Sequence, residues 1–394
     1  MSIYDKIGVK RIINAWGTLT SLGGSIMLPE VIEAMNEAAK AFVDMNELHI
    51  KAGRIIAEIT GAEDAYVTSG AAAALVLAVS ACMTGDDPEK MARIPYIDGF
   101  KNEIILPLIQ DNQYARLLCI PGAKLVKVGT KNGYTTRDIE DAITDKTLAI
   151  AFMFFTSKKG CDLEALRKVV EIGKKHGIPV IVDAAAELPP IENLRDIVAT
   201  GADLVAFSGG KDIRGPNDTG FIIGRADLIR AIRAHGCPNC YMGRPMKVSK
   251  EQIVGLVVAL QHYTREAVEA RRKRWEKIVE YFVRELSSEH VRAERLMPDP
   301  SRHEYSAQGW PRARLTINEK GLGMTAREIN EELRRGDPPI YAQQIGNQII
   351  LNPQCLQDGE EKIIVQRIKE IISKKLDSQT NSTSDRDMWQ TPKA

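Results

Sequence analysis

Lys211 stands in "FSGGKDIRGP", a turn of small residues after an apolar run, where its amine can be drawn out of water. A lysine in a partly desolvated site beside other cations has a lowered pKa, and its free amine adds to a carbonyl as a Schiff base. The neighbours suit an anionic ring compound. Gly209 and Gly210 leave room above the lysine, Ser208 three residues earlier can donate to a phosphate oxygen, and Arg214 three residues later adds a cation. Asp183, 28 residues upstream, ends the nearly all-apolar run "PVIVD". A carboxylate there is desolvated unless it finds a partner, and a protonated pyridine nitrogen would keep it ionised. Capping of the next turn is an equal use for it. The third place is "AYVTSGAAAALVLAVSAC" (65–82), where Ser69-Gly70-Ala71 separates a short apolar run from a long one. Small residues there let a helix N-terminus approach an anion closely, with N–H groups and the helix dipole both favouring phosphate. Ordinary helix capping accounts for the same pattern.

All three places follow strands. From about residue 63 to 235 short apolar runs alternate with amphipathic stretches: "KLVKVG" (124–129), "LAIAFMFF" (148–155), "PVIVDAA" (179–185), "LVAFSGG" (204–210) and "GFIIG" (220–224) read as buried strands. "TRDIEDAI" and "DLEALRKVVEIGKKHG" (162–177) have helical periodicity, the second closed by Gly177 with Pro179 beyond it. The pattern predicts an α/β layer architecture with a mostly parallel sheet, in which ligands bind outside the carboxyl ends of the strands. Residues 249–286 read as one long charged helical region. "ARLTIN", "REINEELRRG", "PIYAQ", "QIILNP" and "EEKIIVQRIKEIISKK" then suggest a smaller α+β domain, and the polar end "DSQTNSTSDRDMWQTPKA" reads as a disordered tail.

With 394 residues and 44% hydrophobic content, the chain is large enough for two domains. Lys and Arg total 53 against 52 Asp and Glu, so no global field recruits nucleic acid or an anionic membrane. The basic stretch "REAVEARRKRWEK" (265–277) is interleaved with Glu266, Glu269 and Glu276 at helical spacing, the texture of a solvated face. No run approaches the ~18–20 apolar residues of a membrane span. The interrupted, charged N-terminus lacks a signal-peptide core, and six scattered cysteines suit reduced thiols in the cytoplasm. Cys237 and Cys240 form one Cys-x-x-Cys, without the second pair a zinc site normally needs, so no metal is expected.

The order and spacing of the three places resemble the pyridoxal-phosphate (PLP) enzymes of the aspartate-aminotransferase fold over about residues 1–375. The resemblance implies that Ser69, Gly70 and Ala71 hold the cofactor phosphate with Ser208 and Arg214, that Asp183 pairs the ring nitrogen, and that Lys211 forms the Schiff base. It implies an N-terminal segment, 1–48, completing the active site; a PLP-binding large domain, 49–250; a linking helix with a small C-terminal domain, 251–376; and a tail, 377–394.

Within that family, "YDKIGVKRIINAWGTLTSLGGSIM" and "RPMKVSK" (244–250) resemble bacterial selenocysteine synthase, the L-seryl-tRNA(Sec) selenium transferase, and its relatives. "KNEIILPLIQDNQY" (101–114), "GRPMKVSKEQIVGLVVAL" and "IILNPQCLQDGEE" look most like the shorter relatives that include D-glucosaminate-6-phosphate ammonia-lyase. The matching region begins at about residue 4, without the N-terminal tRNA-binding extension of the full-length transferases, and no Ser-Arg-Gly-Glu segment precedes "KLVKVG". The shorter relatives are expected to carry His-Arg-Asn-Gly-Tyr where this chain reads Gln110-Asp111-Asn112-Gln113-Tyr114. The resemblance implies β-elimination from a small hydroxy amino acid, phosphorylated or not, to a 2-keto acid and ammonia; the alternative is selenium transfer on seryl-tRNA(Sec). It places Asn14, Thr18 and Thr20 in the substrate pocket, where a turn cluster anchoring the N-terminus is the other use. Arg244, Lys247 and Lys250 fall on its anion-binding segment. Arg314, with Arg312 on the same strand face, offers a fork for the substrate carboxylate or a structural ion pair. The expected assembly is a homo-oligomer acting on a small molecule, without tRNA or membrane.

Overall fold

The computed structural model describes residues 2–154, 160–296 and 310–387. Among them, residues 23–268 form one compact unit, and residues 2–22, 269–296 and 310–387 a second. The joints fall at 22/23 and 268/269 instead of the expected 48/49 and 250/251. The cause is helical packing: helices Pro29–Ala38 and Met45–Thr60 lie against helix Lys250–His262, so all three belong to the large unit.

The strands, in chain order, are β1 (Ile13–Ala15), β2 (Asp64–Thr68), β3 (Glu103–Pro107), β4 (Lys124–Val128), β5 (Thr147–Met153), β6 (Val180–Asp183), β7 (Leu204–Ser208), β8 (Gly220–Gly224), β9 (Val291–Leu296), β10 (Arg312–Ile317), β11 (Ile340–Ile345) and β12 (Gln348–Leu351). The large unit is built on a seven-stranded sheet of order β2-β8-β7-β6-β5-β3-β4. Its pairs are parallel from β4 through β7, while β8 runs antiparallel to both β7 and β2. The α/β class with a mostly parallel sheet is therefore as expected. Every residue of β5 is buried, as a continuous apolar run requires when both sheet faces are covered.

Helix Leu163–His176 connects β5 and β6. Asp162 Oδ1 accepts from the Ala165 N–H at 2.9 Å, and Gly177 closes the helix in the left-handed region at φ 65°. Helix Gly70–Thr84 is buried on nearly all sides, which its unbroken small and apolar sequence permits. β3 adds a strand the sequence reading does not include. It displaces "KLVKVG" to the sheet edge, so β4 is half exposed instead of buried. Phe155, expected at the end of β5, lies outside the described residues.

The second unit holds a five-stranded sheet, β1-β11-β12-β10-β9, over which the α+β expectation holds. β1 joins it parallel to β11, and Arg312, Arg314 and Thr316 occupy the face of β10 opposite its core residues Ala313, Leu315 and Ile317. The expected long helical region is two helices, Lys250–His262 and Arg265–Leu286. The break lies at Tyr263, whose hydroxyl is drawn to buried Asp212 at 2.8 Å, and Thr264, whose Oγ1 accepts from the Ala267 N–H at 3.2 Å. Helix Glu360–Asp387 continues past 376, into the segment read as a tail; residues 388–394 lie outside the description. Among the described residues no helix is long and apolar enough to cross a membrane.

Candidate active site

Strand register brings the three chemical places to one edge of the large sheet. Asp183, the last residue of β6, pairs with Met153 on one side and Ala206 on the other. Thr68 and Ser208, the last residues of β2 and β7, both pair with Gly220 at the start of β8. Ser69 and Gly209 thus leave the sheet at the same edge from strands two spacings apart, about 10 Å.

The lysine turn closes on itself. The Gly209 N–H donates to Thr219 O at 2.8 Å, the Gly215 N–H to Gly209 O at 2.9 Å, and the Arg214 N–H to Lys211 O at 3.1 Å. Ser25 adds two donors to Gly210 O, its N–H at 3.1 Å and its hydroxyl at 3.0 Å. A Cβ on Gly209 would stand 2.3 Å from Thr219 Oγ1, and one on Gly210 2.4 Å from the Asn217 Cα. These glycines make room for the returning residues 216–219, not for a ligand above the lysine as the sequence reading expects. Arg214 has φ 62°, the one positive φ outside glycine among the described residues, and its Nε donates to Ile26 O at 2.8 Å. Asp212 is fixed by Tyr263, so both residues beside the turn's centre are held by distant segments.

Lys211 and Asp183 keep part of their surfaces open, while their ionisable ends lie deep among protein atoms. Burial lowers the Lys211 pKa, against the opposing pull of the Asp183 and Glu187 charges. Burial raises the Asp183 pKa, against the Ala185 N–H, which donates to Oδ1 at 3.0 Å, and against Lys211. Desolvation wins at both groups. The result is an amine with nucleophilic character and a carboxyl that a further cation would hold ionised.

The start of helix Gly70–Thr84 is open. Ser69 is the N-cap residue, yet its side chain makes no capping bond, so ordinary capping does not account for it. The Thr68 hydroxyl donates to Gly70 O at 2.9 Å. Gly70 has φ 85°, and nothing lies within 4 Å of where its Cβ would be. Gly220 lets this helix start sit against β8: a Cβ there would be 2.5 Å from both Ala71 N and Gly70 C. A ring aldehyde with a phosphate arm fits this edge, with an amine, a carboxylate and an open helix N-terminus to receive its three functional ends.

Gln110, where the resemblance expects histidine, is fully buried beside β5. Its Oε1 accepts from the Met153 N–H at 2.9 Å and its Nε2 donates to Gly160 O at 3.3 Å. Tyr134 also bonds this amide, and donates its hydroxyl to Gly160 O at 3.0 Å. Gln110 is thus a brace between strand end and loop. Asp111 pairs with Lys127 at 2.6 Å.

Arg244 and Lys247 are exposed. Arg244 NH1 lies 3.8 Å from the half-buried Cys237 Sγ, and Cys240 is exposed. Lys250 does not extend this pair outward. Its amine donates to Ala38 O at 2.6 Å, at the C-terminus of helix Pro29–Ala38, and pairs with Glu251. Asn14, Thr18, Thr20 and Arg314 belong to the second unit. Asn14 locks a turn: its Oδ1 accepts from the Trp16 and Gly17 N–H groups at 3.0 and 3.1 Å, and its Nδ2 donates to Gly17 O at 2.9 Å. Thr18 is half-buried and Thr20 exposed. Arg314 faces its cross-strand neighbour Glu294, with Nε and a terminal nitrogen 3.0 and 2.8 Å from Oε1, the structural ion pair of the two uses foreseen.

Sequence reasoning missed Glu187, Ser25, Tyr263 and the bracing role of Gln110. Glu187 carried a signal, an acid inside the otherwise apolar "AAAELPP" (184–190). The other three act through contacts distant in sequence.

The family model for L-seryl-tRNA selenium transferase (SelA) matches residues 115–308. D-glucosaminate-6-phosphate ammonia lyase of Salmonella typhimurium (strain 14028s / SGSC 2262) is 34% identical over 379 residues, 94% of this chain and 98% of that one. The chain belongs to the SelA family. A second relative, 5'-C-glycyluridine monooxygenase-decarboxylase of a Streptomyces species, is 35% identical over 94% of this chain and 92% of its own. A solved structure of D-glucosaminate-6-phosphate ammonia-lyase superposes with TM-score 0.82 at 32% identity, covering 95% of this chain and 99% of that one. The expected fold, an aspartate-aminotransferase-like large domain with a smaller α+β domain, is the fold of this SelA-family chain.

Proposed function

We propose that this chain is a PLP-dependent ammonia lyase that converts a small hydroxy amino acid, phosphorylated or free, to a 2-keto acid and ammonia. The observation that carries the reading is the desolvated Lys211 beside Asp183 at the carboxyl edge of the sheet. The likeness to an ammonia lyase across nearly its whole length supports the reaction class. Ser69, Gly70 and Ala71, with Ser208 and Arg214, hold the phosphate; Asp183 holds the ring nitrogen; Lys211 holds the aldehyde carbon. Bound there, the cofactor supplies a sink for the electrons of the substrate Cα–H bond.

Lys211 accepts the Cα proton and hands a proton to the departing β-oxygen. The water lost at the β-carbon is regained when the nitrogen leaves as ammonium, so the net reaction is hydroxy amino acid to 2-keto acid and ammonium. Arg244 and Lys247 bind a phosphate on the substrate. The chain works in the cytoplasm as a homo-oligomer and does not take tRNA. Its six free thiols suit a reducing compartment. The test is borohydride reduction of protein loaded with pyridoxal phosphate, followed by peptide mapping. Label on the peptide containing Lys211 supports the reading; absence of cofactor uptake refutes it.

One observation favours a second reading. A relative as similar as the ammonia lyase is named a monooxygenase-decarboxylase. Oxygen consumption matched by release of carbon dioxide would assign that chemistry instead.

A further inference from the structure

Among the described residues, the charges of Asp183 and Glu187 act on Lys211, and the proposed function uses only the first. Glu187 lies four residues beyond Asp183 in the segment after β6, with 4% of its surface exposed. Its place is fixed on both sides. The Glu187 N–H donates to Ala184 O at 3.1 Å, and Asn193 Nδ2 donates to Glu187 O at 2.6 Å. Ala184 in turn donates its N–H to Ala206 O at 2.9 Å, which ties this segment to the end of β7, five residues before Lys211. The segment carrying Glu187 and the turn carrying Lys211 therefore leave adjacent parallel strands at one edge.

We propose that Glu187 is a positioning residue for the lysine, the carboxylate that balances the Lys211 ammonium when Asp183 faces another cation. The inference rests on the role given to Asp183 above. If Asp183 neutralises a ring nitrogen, a protonated Lys211 otherwise stands in a desolvated pocket without a counter-charge. The reaction needs that protonated form, because Lys211 carries a proton between the substrate Cα and the departing oxygen. The charged groups around the amine fit this division. Asp183 and Glu187 are the carboxylates whose charges act on it. Asp212 receives the Tyr263 hydroxyl, and the Arg214 Nε is directed to Ile26 O.

The test reads the titration of Lys211 without turnover or cofactor. The cofactor-free chain is labelled competitively with acetic anhydride between pH 6 and 11, and the extent at Lys211 is read by mass spectrometry. Four proteins are compared: wild type, Glu187→Gln, Glu187→Met and Glu187→Asp, with thermal melting of each. Loss of the charge in Glu187→Gln and Glu187→Met should move the Lys211 midpoint down by about one pH unit, a tenfold change in free amine below the midpoint, while Glu187→Asp stays near wild type. Two neutral replacements guard against one that packs badly. An unchanged midpoint in a folded neutral variant, even one that melts lower, overturns the inference and leaves Glu187 a packing residue. Borohydride mapping on wild type reports separately on the proposed function.

Discussion

Acidification from pH 7 to pH 5 should cost the large unit about 4 kcal/mol of stability through His49 and His235 alone. His49 stacks on Tyr66 with ring centroids 4.5 Å apart, and His235 Nε2 lies 2.7 Å from Thr84 Oγ1 at the far end of helix Gly70–Thr84. Their exposures are 2% and 0%. Burial lowers both pKa values from 6.5 to about 4, helped at His49 by the Arg233 charge and opposed at His235 by a backbone contact with Ser80. A depressed folded pKa stabilises the protein fully above the unfolded value and progressively less as pH falls toward the folded one. Between pH 7 and 5 the unfolded chain takes up about three quarters of a proton at each histidine and the native chain about a tenth. Integrating that difference gives about 2 kcal/mol per residue.

The assay is urea unfolding at both pH values, followed by far-UV circular dichroism. Tryptophan emission would report on the wrong part, because Trp16, Trp275 and Trp310 all belong to the second unit. His235→Gln keeps a polar partner for Thr84 without titrating, so its loss between pH 7 and 5 should be smaller than that of wild type by about 2 kcal/mol. Equal losses in the two proteins would refute the assignment of a neutral, buried His235.

Three further outcomes concern the site. Gly220→Ala should push the helix start off β8 and weaken pyridoxal phosphate binding by roughly tenfold, the effect of about 1.4 kcal/mol of strain, in a spectroscopic titration; unchanged affinity would dissociate that close approach from phosphate binding. Asp183→Asn should keep the fold and cofactor uptake while turnover falls by several orders of magnitude, and full activity would move the ring-nitrogen role elsewhere. Arg244→Ala should raise the KM for a phosphorylated substrate by roughly 10- to 100-fold, the loss of one charge-assisted contact, without releasing the cofactor. In the same preparations tRNA should bind no better than nonspecifically at physiological salt; tight, selective binding of seryl-tRNA(Sec) would restore selenium transfer.

The parts legible in the sequence were those whose signal is local. "PVIVD" and "LVAFS" announce buried parallel strands because both faces are covered, and the polar residues just beyond them mark the edge where Asp183 and Lys211 stand. Gly177 and Asp162 bound their helix for equally local reasons. The rest depends on pairing across the chain. "EIILP" is too short to distinguish from loop until β5 and β4 flank it, and nothing in "GFIIG" states that it runs antiparallel. Gly209 and Gly210 advertise space, but only the returned segment 216–219 shows what fills it. Gln110 reads as a lost histidine until its amide is seen joining Met153 to Gly160. The joint at 22/23 is likewise invisible until helices Pro29–Ala38 and Lys250–His262 meet.

The most direct measurement of the central claim is the product balance of the purified, cofactor-loaded enzyme with D-glucosaminate-6-phosphate and with simpler hydroxy amino acids, phosphorylated and free, in air and under argon. An ammonia lyase releases ammonium and 2-keto acid one to one, at the same rate with and without oxygen, and Lys211→Ala abolishes both. No ammonium from any of these substrates, or release that stops under argon and is matched by carbon dioxide, would contradict it.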